Sequence, residues 1–261
     1  MLQAILHNKF NRAVSDGYFR GIEDTLTSSV VGLMQYLPDE IFWTILGGAC
    51  GHSTKGLPNS IGAIKEFHFW ERFDASGTKN STAVEPDVWI ETEDFDIIIE
   101  AKRSDDSADN SQYEDQWKNQ IIALRNSYGD EPPKPLIYIA IGGNDSLRDT
   151  SLPVEGKEYE IHTASWYNLL NVVLNLVRNY EPDNMPAHTR RILLDIIQAL
   201  QVHRFIKTTW LGSLPAIILP EGSDMALFTL WDFDNSDIMA GIIPAPITKE
   251  VDLQSIWTIA K

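Results

Sequence analysis

The sequence predicts one α/β domain followed by a small β-rich appendage, and three observations lead there. Apolar residues recur at helical spacing in several long segments, as in Ile22, Leu26, Val30, Leu33 and Leu37. Two short apolar runs, 86–92 and 95–102, flank Glu93-Asp94 in the manner of a hairpin, and a third run, "PLIYIAIGG", is continuous enough for a strand buried on both faces. Beyond Lys207 the pattern changes to short apolar runs broken by Gly and Pro. The expected boundaries are 1–206 for the α/β domain and 207–261 for the appendage.

Each element has a local reason. Pro38 ends the helix that begins near Ile22, and "EIFWTILGGA" predicts a second helix stopping at Gly47-Gly48. "KEFHFWERFD" alternates like a strand, with Phe67, Phe69 and Phe73 expected on one side. After the hairpin, Ser111 followed by Glu114 is a capping-box pattern, and Tyr113, Trp117, Ile121 and Leu124 form a helical stripe. "YEIHTAS" predicts a short strand leading into the helix "WYNLLNVVLNLVRN". A last helix, "PAHTRRILLDIIQALQVHRF", starts beside Pro186.

Composition narrows the function classes. At 261 residues and 43% hydrophobic, the chain can bury one large core or two modest ones. No apolar run approaches the roughly twenty residues of a membrane span, and "MLQAILHNKFNRAVSDG" lacks the uninterrupted apolar stretch of a signal peptide. The lone cysteine, Cys50, cannot form an intramolecular disulfide and suits a reducing cytosol, so the expected location is cytoplasmic. The net charge of -16 argues against non-specific affinity for nucleic acid, which depends on Lys and Arg neutralising phosphates. The charge is uneven, however. Acids crowd residues 86–131, whereas residues 188–207 hold Arg190, Arg191, Arg204 and Lys207 against Asp195 alone.

The chemistry concentrates in "PDVWIETEDFDIIIEAKR". If Glu93 and Asp94 form the turn, Thr92 opposes Phe95 and the register carries Asp87 opposite Glu100. Side chains alternate across a sheet. Val88, Ile90, Thr92, Phe95, Ile97, Ile99 and Ala101 then share one face, which packs on a core. Asp87, Trp89, Glu91, Asp96, Ile98, Glu100 and Lys102 share the other, which gathers acids around one lysine. A one-residue slip would send Asp87 and Glu100 to opposite faces and mix the two sets. Like charges directly opposite each other are destabilising. A divalent cation such as magnesium, which prefers carboxylate oxygen, is the natural compensation. Lys102 beside it could stabilise negative charge developing on a phosphoryl group or orient a nucleophile.

These residues resemble the signature of the PD-(D/E)XK nucleases, the restriction-endonuclease-like superfamily, at Pro86-Asp87 and Glu100-Ala101-Lys102. The resemblance spans roughly residues 20–142. It implies a mixed central sheet flanked by helices, with Asp87 and Glu100 as ligands to Mg2+ or Mn2+ and Lys102 as catalytic lysine. It also implies an acid from an N-terminal helix, for which Glu23 is the best match and Asp24 the rival. A glutamine in the following helix is a further family feature. Gln112, Gln116 and Gln120 recur every four residues there, with Gln116 preferred and Gln120 second.

The resulting expectation is a metal-dependent nuclease acting on DNA, with RNA left open, in a setting of defence or repair. Arg190, Arg191, Arg204 and Lys207 are the concentrated supply of phosphate contacts, unless a homodimer or a basic partner subunit provides the grip. The alternative is a non-catalytic, nuclease-like interaction subunit, which the acidic surface favours.

Other motifs carry less. Asp232, Asp234 and Asp237 lack the Gly and terminal Glu of a calcium loop. Cys50 and His52 have no partners at zinc spacing, and the glycines of "IGGN" lack the Gly-Lys-Ser/Thr of a phosphate loop.

Overall fold

The computed structural model describes residues 2–7, 9, 14–15, 18–19, 22–51, 56–80, 82–105, 111–144, 146–179, 181 and 185–207. The expected appendage, apart from Lys207, lies outside them, as do His52, Asp232, Asp234 and Asp237. Among the described residues, no helix is long and apolar enough to cross a membrane.

The chain opens with a short helix, Leu2–Leu6 (α1), and a two-residue antiparallel pair, Val14–Ser15 (β1) with Tyr18–Phe19 (β2). Helices Glu23–Met34 (α2) and Asp39–Ala49 (α3) follow, then strands Ile64–Phe69 (β3), Phe73–Asp74 (β4) and Ala83–Val84 (β5). The hairpin is Val88–Thr92 (β6) and Asp96–Ala101 (β7). Helix Glu114–Ser127 (α4) leads to Leu136–Ile141 (β8), Thr150–Val154 (β9) and Lys157–Ala164 (β10). Helices Trp166–Arg178 (α5) and Ala187–Val202 (α6) complete the series.

Six strands form one mixed sheet in the order β3-β6-β7-β8-β10-β9. Its centre, β7-β8-β10, is parallel, and the flanking pairs are antiparallel. Alternation along the central strands feeds two cores. Ile97, Ile99, Ile137, Ile139 and Ile141 join residues of α2, α3, α5 and α6 on one side. Ile98, Tyr138, Ala140 and Ile161 meet Trp117, Ile121 and Leu124 of α4 on the other. Both faces of β7 are therefore buried along its whole length.

Helix α4 covers the acid-bearing face of the hairpin. Asp96, only 1% exposed, is held there by Trp89 Nε1 at 3.2 Å and by the Tyr128 hydroxyl. Phe67 and Phe69 do lie with the larger core, but Phe73 belongs to the smaller one, because the chain breaks between β3 and β4. The Ser111–Glu114 capping box does not form; α4 starts after Tyr113, with no side-chain cap. Tyr113 itself is 58% exposed and outside the buried stripe. Helix α3 ends at Ala49, one residue past the expected stop at Gly47-Gly48. A Cβ at Gly48 would lie 2.8 Å from Val172 Cγ2, so this glycine permits close packing of α3 on α5. Strand β9 gave no signal in the sequence, since Pro153 argues against a strand; it is tolerated because β9 is an edge.

The end of β7 is clamped from several sides. Lys102 N–H donates to Ile141 O at 2.8 Å, and Trp166 Nε1 donates to Lys102 O at 2.7 Å. Gly142 passes this point at φ 73°, where an added Cβ would sit 2.5 Å from Lys102 O and 2.8 Å from Ser104 O. Both obstacles are backbone. Gly142→Ala is expected to cost about 1–3 kcal/mol, the scale of such strain, visible as a lower midpoint in urea unfolding.

Candidate metal centre

The hairpin register places the first two acids. Val88 pairs with Ile99 and Glu91 with Asp96, so the register extended by one residue sets Asp87 opposite Glu100. Thr92 N–H donates to Phe95 O at 3.0 Å, closing the turn. Asp87 is 7% exposed and Glu100 1%.

Each carboxylate is held by donors from other elements. Asp87 Oδ1 accepts from Trp70 Nε1 at 3.1 Å, and its Oδ2 accepts from Ala101 N–H at 2.8 Å. Glu100 Oε1 accepts from Gln116 Nε2 at 2.6 Å and from Lys102 Nζ at 2.6 Å, while Oε2 accepts from Gln120 Nε2 at 2.7 Å. The amide of Gln120 is itself oriented, because the Tyr138 hydroxyl donates to its Oε1. Gln112 Nε2 reaches the backbone carbonyl of Glu100 at 3.2 Å. All three glutamines thus converge on Glu100, and Gln120 contributes as directly as Gln116.

The third acid comes from the first turn of α2. That helix starts at Glu23 because Thr25 and Ile22 exchange hydrogen bonds, Ile22 N–H to Thr25 Oγ1 at 3.1 Å and Thr25 Oγ1 to Ile22 O at 2.9 Å. Acids in a first helical turn are favoured by the helix dipole, and here that position also brings Glu23 to the sheet. One carboxylate oxygen each from Glu23, Asp87 and Glu100 lies within 4.8 Å of the others. Lys102 Nζ stands 3.5 Å from Glu23 Oε1 and donates to Ala101 O at 3.0 Å. Of the two candidate acids, Glu23 is the one grouped with Asp87 and Glu100, while the charge of Asp24 also acts on Asp87.

Crowding shows in the ionisation of these groups. Burial, then the neighbouring Glu100 charge, pushes Asp87 up to about 8 despite Lys102 and the Ala101 N–H. Burial and then Asp87 push Glu23 up to about 7. Burial raises Glu100 as well, against the pull of Lys102. Burial works against the charge on Lys102, but Glu100, Glu23 and Asp87 outweigh it, and the ammonium is held above its ordinary range. Three carboxylates around one ammonium leave uncompensated negative charge. The donor set is all oxygen, which fits a hard divalent cation such as Mg2+ or Mn2+. A cluster of this kind must otherwise retain protons.

The four basic residues sit elsewhere on the chain, on and just after α6. Arg191, Arg204 and Lys207 are exposed and Arg190 is half-buried. Sequence reasoning passed over Trp70 and Tyr138, neither of which stands near the motif in the chain. It also passed over a second group, Asp149, Glu160 and His162, whose ligating atoms approach within 4.8 Å at the β9–β10 edge. There His162 Nδ1 and Asp149 Oδ2 are 2.9 Å apart.

No family model matches the chain, and no solved structure matches it. Over 236 residues, 82% of this chain and 85% of the other, it is 29% identical to the uncharacterized protein PM0110 of Pasteurella multocida (strain Pm70).

Proposed function

We propose that the chain is a Mg2+- or Mn2+-dependent nuclease of the restriction-endonuclease-like, PD-(D/E)XK type, hydrolysing phosphodiester bonds in DNA. The observation that carries this reading is the meeting of Asp87, Glu100 and Glu23 within 4.8 Å, with Lys102 Nζ 2.6 Å from Glu100. The central mixed sheet flanked by helices is consistent with it.

Asp87, Glu100 and Glu23 would hold the cation. Bound there, it would polarise a phosphoryl oxygen and acidify a water. Lys102 supplies a fixed positive charge where negative charge develops, in a pocket dry enough for that charge to count. Gln116 and Gln120 keep both oxygens of Glu100 oriented. Arg190, Arg191, Arg204 and Lys207 would contact phosphates, and because such contacts act by neutralising phosphate charge, the grip on DNA should weaken as salt rises.

The test is incubation of the purified protein with plasmid DNA and Mg2+ or Mn2+ beside Lys102→Ala. Metal-dependent cutting that the variant lacks is the expected result. Silence on DNA and RNA alike, with no metal bound in titration, would overturn the reading in favour of a non-catalytic interaction subunit.

A further inference from the structure

We propose that Trp70 is a positioning residue that presents Asp87 to the divalent cation, an inference that rests on the metal-centre reading above. Phe69 pairs with Val88, so Trp70 falls opposite Asp87 just beyond the paired ends of β3 and β6. Its backbone lies at φ 50°, in the left-handed region that bulky side chains rarely adopt. Such outliers persist where the surroundings over-determine them, and they cluster at functional sites.

The strained conformation has a definite result. Trp70 N–H donates to Asp87 O at 3.1 Å and its indole Nε1 donates to Asp87 Oδ1, also at 3.1 Å. One residue therefore grips both the main chain and the side chain of the acid. Ala101 N–H holds the other oxygen at 2.8 Å. A carboxylate offers about four lone-pair sites. One donor on each oxygen leaves sites on both for a cation, while turning the carboxylate about its Cβ–Cγ bond would break both contacts. The indole is 5% exposed and is covered by Lys9, whose Nζ lies 5.7 Å from the ring centroid, so it has little room to turn away. A merely structural aromatic would not require the indole N–H.

Titration of Mn2+ into wild type, Trp70→Phe and Phe69→Leu separates these roles. Trp70→Phe keeps an aromatic ring but loses the donor. It is expected to raise the Mn2+ Kd roughly ten- to a hundredfold, the usual effect of removing a partner that orients a ligand. Phe69→Leu disturbs the adjoining core and is expected to lower the unfolding midpoint with an unchanged Kd. Equal affinity in Trp70→Phe and wild type overturns the inference alone, as does equal weakening by both variants. A wild type that binds no Mn2+ overturns the metal-centre reading and this inference with it. If Trp70→Phe does not fold, the indole N–H resonances of 15N-labelled wild type serve instead. Mg2+ should shift one indole resonance that Asp87→Asn also shifts, and the lack of any such resonance overturns the proposal.

Discussion

Without metal, the protein is expected to lose stability as the pH rises from about 4 to about 8, and to regain it when Mg2+ or Mn2+ is added. The sign follows from the protons. Asp87 moves from an ordinary 3.8 to about 8 and Glu23 from 4.5 to about 7 on folding, in both cases first through burial. Between those limits the unfolded chain has released protons that the folded chain retains, so rising pH favours unfolding. The raised carboxylates therefore contribute no stabilisation at neutral pH; they oppose folding until a cation neutralises them. Glu100 shifts in the same direction. Lys102 is raised instead, and as a base its contribution is present throughout this window and lost only at more alkaline pH. Asp87 contributes more than Glu23, because the Glu23 side chain is 26% exposed and solvent screens it.

A shift of several pH units corresponds to several kcal/mol, at about 1.4 kcal/mol per unit. For a domain of this size that is roughly 10 °C or more in Tm. Differential scanning fluorimetry at pH 5.5 and 8.5, with EDTA or with Mn2+, reads the upper part of this window. The cation should help more at pH 8.5, where fewer protons compete for the same oxygens. A flat profile with no response to metal would mean that the three acids do not share a buried site.

The second large effect divides cutting from binding. Lys102→Ala should reduce cleavage by roughly 100- to 1,000-fold, the scale seen when one preorganised electrostatic contributor is lost. Its Mn2+ affinity should hold or improve, since a positive charge 2.6 Å from Glu100 has been removed. Glu100→Gln should lose both properties. It removes a ligand charge, and it sets an amide among the Gln116, Gln120 and Lys102 donors that now converge on a carboxylate. Plasmid cleavage and calorimetric titration of the same preparations make the comparison. Cutting by Lys102→Ala at the wild-type rate would remove the lysine from the proposed chemistry.

Much of the site was legible because it lies within one hairpin. From Asp87 to Lys102 a period of two sorts apolar from acidic side chains, and only one register keeps that sorting. The paired strands carry it, Val88 to Ile99 and Ile90 to Ile97. The glutamine spacing in α4 was legible for a similar reason, because side chains four apart share a helix face. The direction of that face was not. As a row of polar residues it reads as solvated, yet it points at Glu100 because the opposite edge of the stripe, Trp117, Ile121 and Leu124, must bury against the sheet. Strand β9 was hidden because Pro153 opposed it locally, and its place at the sheet edge overruled that.

Local periodicity alone determined that Asp87 meets Glu100, since alternation and a short turn leave a cross-strand neighbour little choice. Only the tertiary structure decided that Glu23, Gln120 and Trp70 join them. Those residues lie on separate elements, and no local pattern relates them. They are brought together by the burial of two apolar cores on opposite faces of one sheet, which brings the start of α2, the α4 roof and the end of β3 to the same carboxylates.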